Sequence, residues 1–368
     1  MISPTNAAEL AAALREASLA KQTIRLGGAF SKDSAGGPIP TAAATITTAA
    51  MNRVLQYEPK DLTISVEAGI PYRELTALLA ENRQMIPLDP PFTETATIGG
   101  VLAANASGPR RRLFGTARDL VIGMQFATME GKLVQSGGMV VKNVAGLDMA
   151  KLMIGSLGTL AAIATVNFKL IPMPPQTRTF LMPFHSAEAA MEGRALLYQS
   201  SLQPYALDLL NPAASKLIGL EKFQLLVQAG GSEALMDRYR RSLQTSEMLT
   251  GDEEASLWVK VREFTPDFLA ANPNGAISRI SRTVTNMTDV LALPNPVVTR
   301  AATGVSYVYS AQCEDAPAEG LIEYSPVGKR AALKLWPAPG PDFPIMEKIK
   351  LMFDPQNLLN PGRLYGRI

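Results

Sequence analysis

Cysteine and histidine are almost absent from the 368 residues, since the chain has one of each, Cys313 and His185. A single cysteine excludes an internal disulfide and an iron–sulfur cluster ligated by this chain alone. A single histidine excludes a histidine-rich metal site. The sequence therefore predicts no metal centre, and a catalytic base would have to be sought among Tyr, Lys, Asp and Arg.

The sequence also lacks an excess of charge of one sign and long apolar runs. Only 18% of the residues are charged, and 35 Lys and Arg against 33 Asp and Glu leave a net charge of +2. No basic block dominates, which argues against a nucleic-acid-binding protein. No apolar run reaches the roughly 18 residues that span a bilayer, and no secretory signal is visible. We expect a cytoplasmic protein.

The length predicts two domains if each takes about 150 residues. With 47% hydrophobic residues, both can fill a core. Three prolines, Pro172, Pro174 and Pro175, interrupt the pattern after a strong strand, and they predict a boundary. The expected organisation is a first domain over 1–172, an α+β domain over 173–345 and a closing segment over 346–368.

Hydrophobic periodicity predicts an α+β pattern along the whole chain. In the first domain we expect a helix over 6–20, strands over 22–26, 62–68 and 160–171, and a hairpin around 130–131. In strand 62–68 the alternation points Leu62, Ile64 and Val66 inward and the polar residues between them outward. In the second domain we expect strands over 178–182, 223–228, 304–309 and 330–335, and helices over 187–199, 233–244 and 285–291. A helix opens the tail.

The first segment with chemical potential is the loop Gly27-Gly28-Ala29-Phe30-Ser31, which follows a strand. Paired glycines allow backbone N–H groups to converge on an anion because no Cβ blocks the approach. Ser31 adds a hydroxyl, and the next residue, Lys32, adds a positive charge. The G-x-G-x-x-G spacing of dinucleotide-binding folds is absent. Taken by itself, the glycine pair is explained more simply by an ordinary strand–turn junction.

The second segment runs from Pro90 to Gly108 and is rich in proline, threonine and small residues. Gly99-Gly100 opens a short helix for which Thr97 is a candidate cap, and the N-terminus of such a helix suits a diphosphate. Ala103 and its small neighbours cannot fill a core, so a flat ligand is expected against them. Close packing of the helix on a sheet is the alternative explanation.

The third segment runs from Gly137 to Asp148 and is followed by the Gly155-Ser-Leu-Gly158 turn. Lys142, Asn143 and Asp148 are polar groups in an otherwise apolar stretch. Their burial requires hydrogen-bond partners, and a polar ligand would supply some of them.

In this order and spacing the segments resemble the FAD-binding domain of the vanillyl-alcohol oxidase/p-cresol methylhydroxylase superfamily over residues 1–172. The resemblance is carried by ATIGGVLAANASGPRR from Ala96 and by VKNVAGLDMAKLMIGSLGTL from Val141. The second motif is similar to the FAD-binding E-subunit family of bacterial glycolate oxidases, although Leu147 stands where an aromatic residue is usual. The tail FDPQNLLNPG from Phe353 is similar to the closing motif of FAD-linked oxidases.

The resemblance implies an α+β fold of the p-cresol methylhydroxylase type. Its FAD-binding domain has two α+β subdomains, a smaller α+β cap or substrate domain follows, and the tail returns to the FAD domain. In this superfamily a covalent flavin bond uses His, Cys or Tyr. The loop offers Ala29 and Phe30 instead, so we expect non-covalent FAD.

The resemblance also implies which residues hold the cofactor. Gly27, Gly28, Ala29, Phe30 and Ser31 bind the diphosphate together with Thr97, Gly99 and Gly100; Ala103, Asn105 and Gly108 border the flavin; Gly158 to Ile163 lie beside the adenine and ribose; Pro90, Ile98, Lys142, Asn143, Gly146 and Asp148 are further cofactor-binding residues.

For the activity, the resemblance implies a subunit of a glycolate oxidase complex that oxidises glycolate to glyoxylate and passes electrons through the flavin to its partners. In such complexes a sister flavoprotein carries a histidine-rich motif and another subunit carries iron–sulfur clusters. Here only His185 is present, and nothing singles out a catalytic base. Two alternatives stay open: a self-sufficient FAD-dependent 2-hydroxy-acid dehydrogenase with a base other than histidine, and a flavoprotein-like scaffold without turnover.

Overall fold

The structure is a computed structural model that describes residues 1–38, 41–140, 147–243 and 247–368. The chain divides into two compact units. The first contains residues 1–107, 115–173 and 327–368, and the second contains residues 108–114 and 174–326. The domain bounds expected from the sequence stay a prediction.

Helices and strands alternate along both units. The helices are α1 Ala7–Leu19, α2 Tyr72–Glu81, α3 Ile98–Ala103, α4 Arg111–Phe114, α5 Ala117–Leu120, α6 Ala150–Met153, α7 Ala187–Gln199, α8 Pro212–Leu217, α9 Glu233–Ser242, α10 Gly251–Arg262, α11 Phe264–Ala271, α12 Thr288–Leu291 and α13 Phe343–Phe353. The strands are β1 Ile24–Gly27, β2 Ala44–Thr47, β3 Val54–Glu58, β4 Thr63–Glu67, β5 Gln84–Met85, β6 Val121–Ala127, β7 Leu133–Gly137, β8 Ala162–Lys169, β9 Ile171–Pro172, β10 Gln176–Phe184, β11 Ala206–Leu210, β12 Phe223–Gly231, β13 Glu247–Leu249, β14 Ala276–Ser281, β15 Val297–Arg300, β16 Val305–Ser310 and β17 Leu321–Tyr324. Short 3₁₀ helices cover Pro59–Asp61, Cys313–Asp315 and Val327–Ala332.

The first unit is built on an antiparallel sheet with strand order β3-β4-β8-β6-β7. A parallel pair, β1 and β2, lies beside α1, and β5 pairs with β9. One core joins the sheet to α2 and α3, with Val66, Leu75 and Val101 fully buried. A second core under α1 includes Leu10 and the tail residue Leu359. The tail therefore packs in the same core as the first helix.

The second unit is an α+β unit with an antiparallel sheet in the order β13-β10-β12-β11-β15-β16-β14-β17. One sheet face packs against α7, α9 and α12 in a single core that includes Phe180 and Tyr239. The adjacent residue Thr179 points to the opposite face, where its hydroxyl donates to the Glu254 carboxylate in α10 at 3.0 Å. The α+β class expected from the sequence is confirmed.

Two of the sequence predictions for the first unit are wrong. In β4 the polar residues expected to point outward are buried along with the apolar ones, so Glu67 is 3% exposed. Its carboxylate accepts hydrogen bonds from the Arg53 backbone N–H at 2.9 Å and from the guanidinium at 2.8 Å. Residues 330–335 were expected to form a strand, but a 3₁₀ helix, Val327–Ala332, occupies the start of that segment. It turns the Arg330 side chain into the interior, where it is 2% exposed.

In the described ranges no helix has both the length and the hydropathy needed to cross a bilayer.

Candidate cofactor site

A cavity of about 740 Å³, including its open mouth, lies in the first unit between the loop after β1, helix α3 and the tail. Its lining residues are Leu26, Gly27, Gly28, Ala29, Phe30, Ser31, Lys32, Asp33, Thr48, Thr97, Gly99, Gly100, Ala103, Ala104, Leu157, Gly158, Ala161, Ile163, Asn360 and Arg363. The structure thus brings together three segments that are separated in the sequence, and most of the predicted cofactor residues are among them.

Other predicted cofactor residues lie elsewhere. Ile98 is fully buried in the first core, and the Pro90 carbonyl accepts a hydrogen bond from the Thr93 hydroxyl at 2.9 Å. Asp148 forms an ion pair with Lys151 at 3.0 Å. Asn105 belongs to the first unit but does not line the cavity, and Gly108 belongs to the second unit. Three further residues, Lys142, Asn143 and Gly146, fall outside the described residues, and the cofactor roles of all five stay predictions.

The loop from Gly28 to Ser31 presents four consecutive backbone N–H groups that donate to no acceptor in the described part of the chain. Its carbonyl oxygens are engaged: the Gly28 oxygen accepts from the Thr47 hydroxyl at 2.7 Å, and the Phe30 oxygen accepts from the Asp33 N–H at 3.2 Å. Phe30 has φ of +55°, which turns the backbone sharply at the centre of the loop. Consecutive unpaired N–H groups around a cavity form an anion-binding concavity.

Gly28 is required by a close approach. A Cβ added to Gly28 would stand 2.0 Å from the Thr97 hydroxyl oxygen, far inside any real contact. The hydroxyl already caps α3 by accepting from the Gly100 N–H at 3.3 Å, so it cannot move without cost. Glycine therefore allows the loop to lie directly against the start of α3.

The first N–H groups of α3 are less available to a ligand than the sequence suggested. The Ile98 N–H donates to the Ile70 carbonyl at 3.0 Å, and the Gly99 N–H donates to the Ala68 carbonyl at 2.7 Å. A Cβ on Gly99 would be 2.9 Å from the Ala68 Cβ. Close packing of the helix on the end of β4 explains Gly99, and the loop Gly28–Ser31 supplies the free donors.

The tail forms hydrogen bonds to the residues just before the cofactor loop. The Asn360 amide accepts from the Leu26 N–H at 2.8 Å and donates to the carbonyls of Leu26 at 3.1 Å and Leu157 at 3.0 Å. The Ile24 N–H donates to the Leu358 carbonyl at 2.8 Å, so the tail also pairs with β1. The NPG motif indicated a family relationship, but these side-chain contacts were missed because they join residues 203 and 334 positions apart.

A buried ion pair stiffens the same tail. The Lys350 ammonium donates to the Asp354 carboxylate at 2.7 Å and to the carbonyls of Thr159 at 2.8 Å and Leu359 at 3.1 Å. Burial lowers the pKa of Lys350, and the hydrogen bond and charge of Asp354 oppose that shift. Asp354 in turn accepts from the N–H groups of Leu358 and Leu359 at 3.1 and 2.8 Å.

Comparison with protein families identifies the chain. Residues 1–137 match the FAD binding domain, and residues 333–364 match the C-terminal domain of FAD linked oxidases. The chain thus carries both domains of an FAD-linked oxidase. The family resemblance seen in the sequence motifs is confirmed, and so is FAD as the cofactor of this oxidase.

Among proteins similar in sequence, the oxidase is 28% identical to glycolate oxidase subunit GlcE of Escherichia coli over 358 residues, which is 95% of this chain and 94% of GlcE. It is 29% identical to glycolate oxidase subunit GlcD of Bacillus subtilis over 177 residues, 48% of this chain and 38% of GlcD. It is 28% identical to D-lactate dehydrogenase of Archaeoglobus fulgidus over 52% of this chain and 43% of that protein. The oxidase therefore spans less than half the length of GlcD and of the D-lactate dehydrogenase.

Solved structures show the same fold. The oxidase superposes on substrate-bound p-cresol methylhydroxylase with a TM-score of 0.74 at 14% identity, covering 98% of this chain and 87% of that one. It superposes on 4-ethylphenol oxidase from Gulosibacter chungangensis with a TM-score of 0.72 at 14% identity, covering 98% and 88%. The p-cresol methylhydroxylase-type fold expected from the sequence is confirmed.

The residues present in the cavity fit FAD. The unpaired N–H groups from Gly28 to Ser31 suit the diphosphate, and the small wall residues Ala103 and Ala104 leave room for a flat ring. The one histidine of the oxidase, His185, is exposed. No group of three or more His, Cys, Asp or Glu side chains that could hold a metal occurs within the described residues.

Proposed function

We propose that this chain is the FAD-binding subunit of a glycolate oxidase complex that oxidises glycolate to glyoxylate and passes the electrons to partner subunits. The observation that carries the proposal is the match to GlcE, which extends over 95% of this chain and 94% of GlcE, whereas the match to GlcD covers 48% of this chain. When bound, FAD supplies the acceptor for the hydride of the substrate.

In this proposal the cofactor residues are those of the cavity. The loop Gly28–Ser31 binds the diphosphate through its backbone N–H groups, and Thr97 orders that loop from the start of α3. Gly158 and Ile163 line the part of the wall proposed for the adenine and ribose. Pro90, Ile98, Asn105, Gly108, Lys142, Asn143, Gly146 and Asp148 keep the cofactor role that the resemblance implies. Non-covalent attachment follows from Ala29 and Phe30 at the loop position where the superfamily links the flavin.

The second unit carries a charged group that suits a small carboxylate. Arg279 in β14 lies 3.5 Å from the Glu323 carboxylate in β17, and Arg300 in β15 is paired with Asp208 in β11. Arg111 adds a third positive charge near Glu323. Three arginines against two carboxylates leave one positive charge over, and one carboxylate anion would balance it.

Tyrosine completes this group. Tyr307 is directly opposite Arg279 in the β14–β16 register, and the Arg300 guanidinium lies 5.6 Å from the centre of its ring. Burial raises the pKa of Tyr307, and the nearby Glu323 carboxylate raises it further. The phenol thus stays protonated and can donate a hydrogen bond to a carboxylate. We propose that Arg279, Arg300 and Tyr307 recognise the carboxylate of the 2-hydroxy acid.

Proton removal from the substrate hydroxyl is assigned to the sister flavoprotein subunit. The single histidine of this chain is exposed, and the described residues offer no metal-holding group that could position a hydroxyl. An iron–sulfur subunit is proposed as the next electron carrier. Contact with the inner membrane is proposed to be peripheral and made through these partners, with the chain itself cytoplasmic.

The alternative is a self-sufficient 2-hydroxy-acid dehydrogenase, which the arginine–tyrosine group of the second unit favours. Absorbance separates the two candidates. The purified chain should show flavin bands near roughly 370 and 450 nm, and acid precipitation should release the flavin. Glycolate should bleach these bands only after the sister flavoprotein is added. Bleaching by the isolated chain supports the alternative, and a chain that takes up no FAD overturns both.

A further inference from the structure

We propose that Arg363 is a positioning residue for FAD, which fixes the second half of the loop after β1 and supplies the positive charge opposite the diphosphate. This inference rests on the FAD-binding role of the cavity. It goes beyond the tail segment FDPQNLLNPG described above, because the role is assigned to the side chain that follows Gly362.

The Arg363 side chain is buried beside the cavity without a carboxylate partner. It lines the cavity and is 7% exposed. Within the described residues its guanidinium donates to carbonyl oxygens alone, those of Lys32 at 3.2 Å, Asp33 at 3.2 Å and Gly37 at 3.4 Å. Its Nε is buried and donates to no acceptor in the part of the chain that the structure describes. The positive charge therefore has neutral acceptors and one unused donor.

The Asp33 carboxylate, which acts on the charge of Arg363, is already paired with a second arginine. Asp33 is engaged by the Arg25 guanidinium. Burial lowers the pKa of Arg363, the Asp33 carboxylate raises it, and the Arg25 guanidinium lowers it again. A buried cation of this kind destabilises the fold unless an anion compensates it. The adjacent cavity already presents unpaired N–H groups of the loop Gly28–Ser31. The Arg363 charge and these N–H groups therefore both favour an anionic ligand.

Arg363 and Asn360 together fix the loop at both ends. Asn360 binds both backbone groups of Leu26 just before the loop, and Arg363 binds the carbonyls of residues 32, 33 and 37 beyond it. The Arg363 carbonyl also accepts from the Gly37 N–H at 2.8 Å. The free N–H groups in between are consequently held in place by two side chains that are three residues apart.

The test compares ligands with and without phosphate. We would measure dissociation constants of FAD, ADP and riboflavin for the wild-type chain, for Arg363→Gln and Arg363→Lys, and for the control Arg367→Gln. Arg367 is exposed in the same tail and pairs with Glu347 at 3.3 Å. Arg363→Gln should weaken FAD and ADP by at least about tenfold, the size expected for a charged hydrogen bond, and riboflavin by less than about twofold. Arg363→Lys should recover part of the loss.

Thermal unfolding provides the second readout. The apo form of Arg363→Gln should unfold at the temperature of apo wild-type or above it, because an uncompensated buried charge is removed while an amide donor remains. The rise in Tm on adding FAD should shrink. A purely structural Arg363 predicts the reverse, a lower apo Tm with equal losses for riboflavin and FAD.

Each outcome is decisive. Wild-type affinity for FAD in Arg363→Gln overturns the role of Arg363 and leaves the proposed function standing. Equal weakening of riboflavin, FAD and ADP overturns the role of the charge. A wild-type chain that binds neither FAD nor ADP overturns the proposed function as well.

Discussion

Gly28 and Thr97 pack directly against each other in the cavity wall. A single methyl group on Gly28 would stand 2.0 Å from the Thr97 hydroxyl oxygen. Gly28→Ala should therefore displace the loop from α3 and disperse its N–H groups. We expect FAD affinity to fall at least tenfold and stability to fall by about 1–3 kcal/mol, as for other overpacked sites. Flavin fluorescence titration and urea unfolding measure the two effects.

The control for this variant is Gly328→Ala. Nothing lies within 4 Å of a Cβ at Gly328, and its φ is outside the left-handed region. It should bind FAD like wild-type. Equal affinity of Gly28→Ala and Gly328→Ala would show that the loop does not need its contact with Thr97.

Lys350 and Asp354 form a buried ion pair whose single replacement should be costly. Lys350→Met leaves the Asp354 carboxylate buried without its cation, and we expect a loss of about 3–5 kcal/mol in the free energy of unfolding. The double variant Lys350→Met/Asp354→Asn should lose less than Lys350→Met. Lys348→Met, on the exposed side of the same helix, should stay within about 0.5 kcal/mol of wild-type. If urea unfolding gives Lys350→Met and Lys348→Met the same free energy of unfolding, the ion pair does not stabilise the fold.

Tyr239 should contribute to the alkaline limit of stability. Burial raises the pKa of Tyr239 from 10.0 to about 12. The unfolded chain therefore releases this proton first, so the contribution is complete below about pH 10 and is lost as pH rises towards about 12. Tyr239→Phe should make the fall in unfolding free energy between about pH 10 and about pH 12 less steep. The slope against pH should decrease by the equivalent of up to one bound proton. An unchanged slope in urea unfolding at stepped pH would contradict the assignment.

Arg279 tests the carboxylate group of the second unit. Arg279→Met should raise the dissociation constant of glycolate in the assembled complex by about 10- to 100-fold, the loss expected for a charged hydrogen bond. FAD content should not change. Arg241→Met, an exposed arginine of the same unit, is the matched control. Should glycolate bind Arg279→Met and the control alike in calorimetry, its carboxylate is recognised elsewhere.

Local signals were sufficient for several elements. Helix α7 spans the predicted residues 187–199 because Ser186 caps the Ala189 N–H at its start and the apolar spacing is regular. Helix α1 is capped by Asn6, as expected. The glycine pairs at 27–28 and 99–100 line one cavity, and their role in binding the cofactor stays a prediction.

Contacts between residues far apart in the sequence could not be predicted from the local sequence pattern. Strand β11 reads Ala-Leu-Asp-Leu-Leu and is buried on both faces, so it lacks the period of two that reveals a strand. The segment around Arg330 looked like an alternating strand, but its guanidinium donates to the carbonyls of Asp33 and Ala35, almost 300 residues away. The role of Arg363 is of the same kind, since its partners lie at residues 32–37.

The pairing of Leu26 with Asn360 has a consequence for synthesis. The cofactor loop is synthesised well before the Asn360 amide that fixes it, because Leu26 and Asn360 are 334 positions apart. Until then β1 has no tail beside it, and the loop cannot adopt its binding geometry. A nascent chain containing all of residues 1–137, the whole matched FAD binding domain, should therefore fail to retain FAD until residues 358–363 have been added. Cofactor capture thus requires the tail residues 358–363 in addition to the matched FAD binding domain.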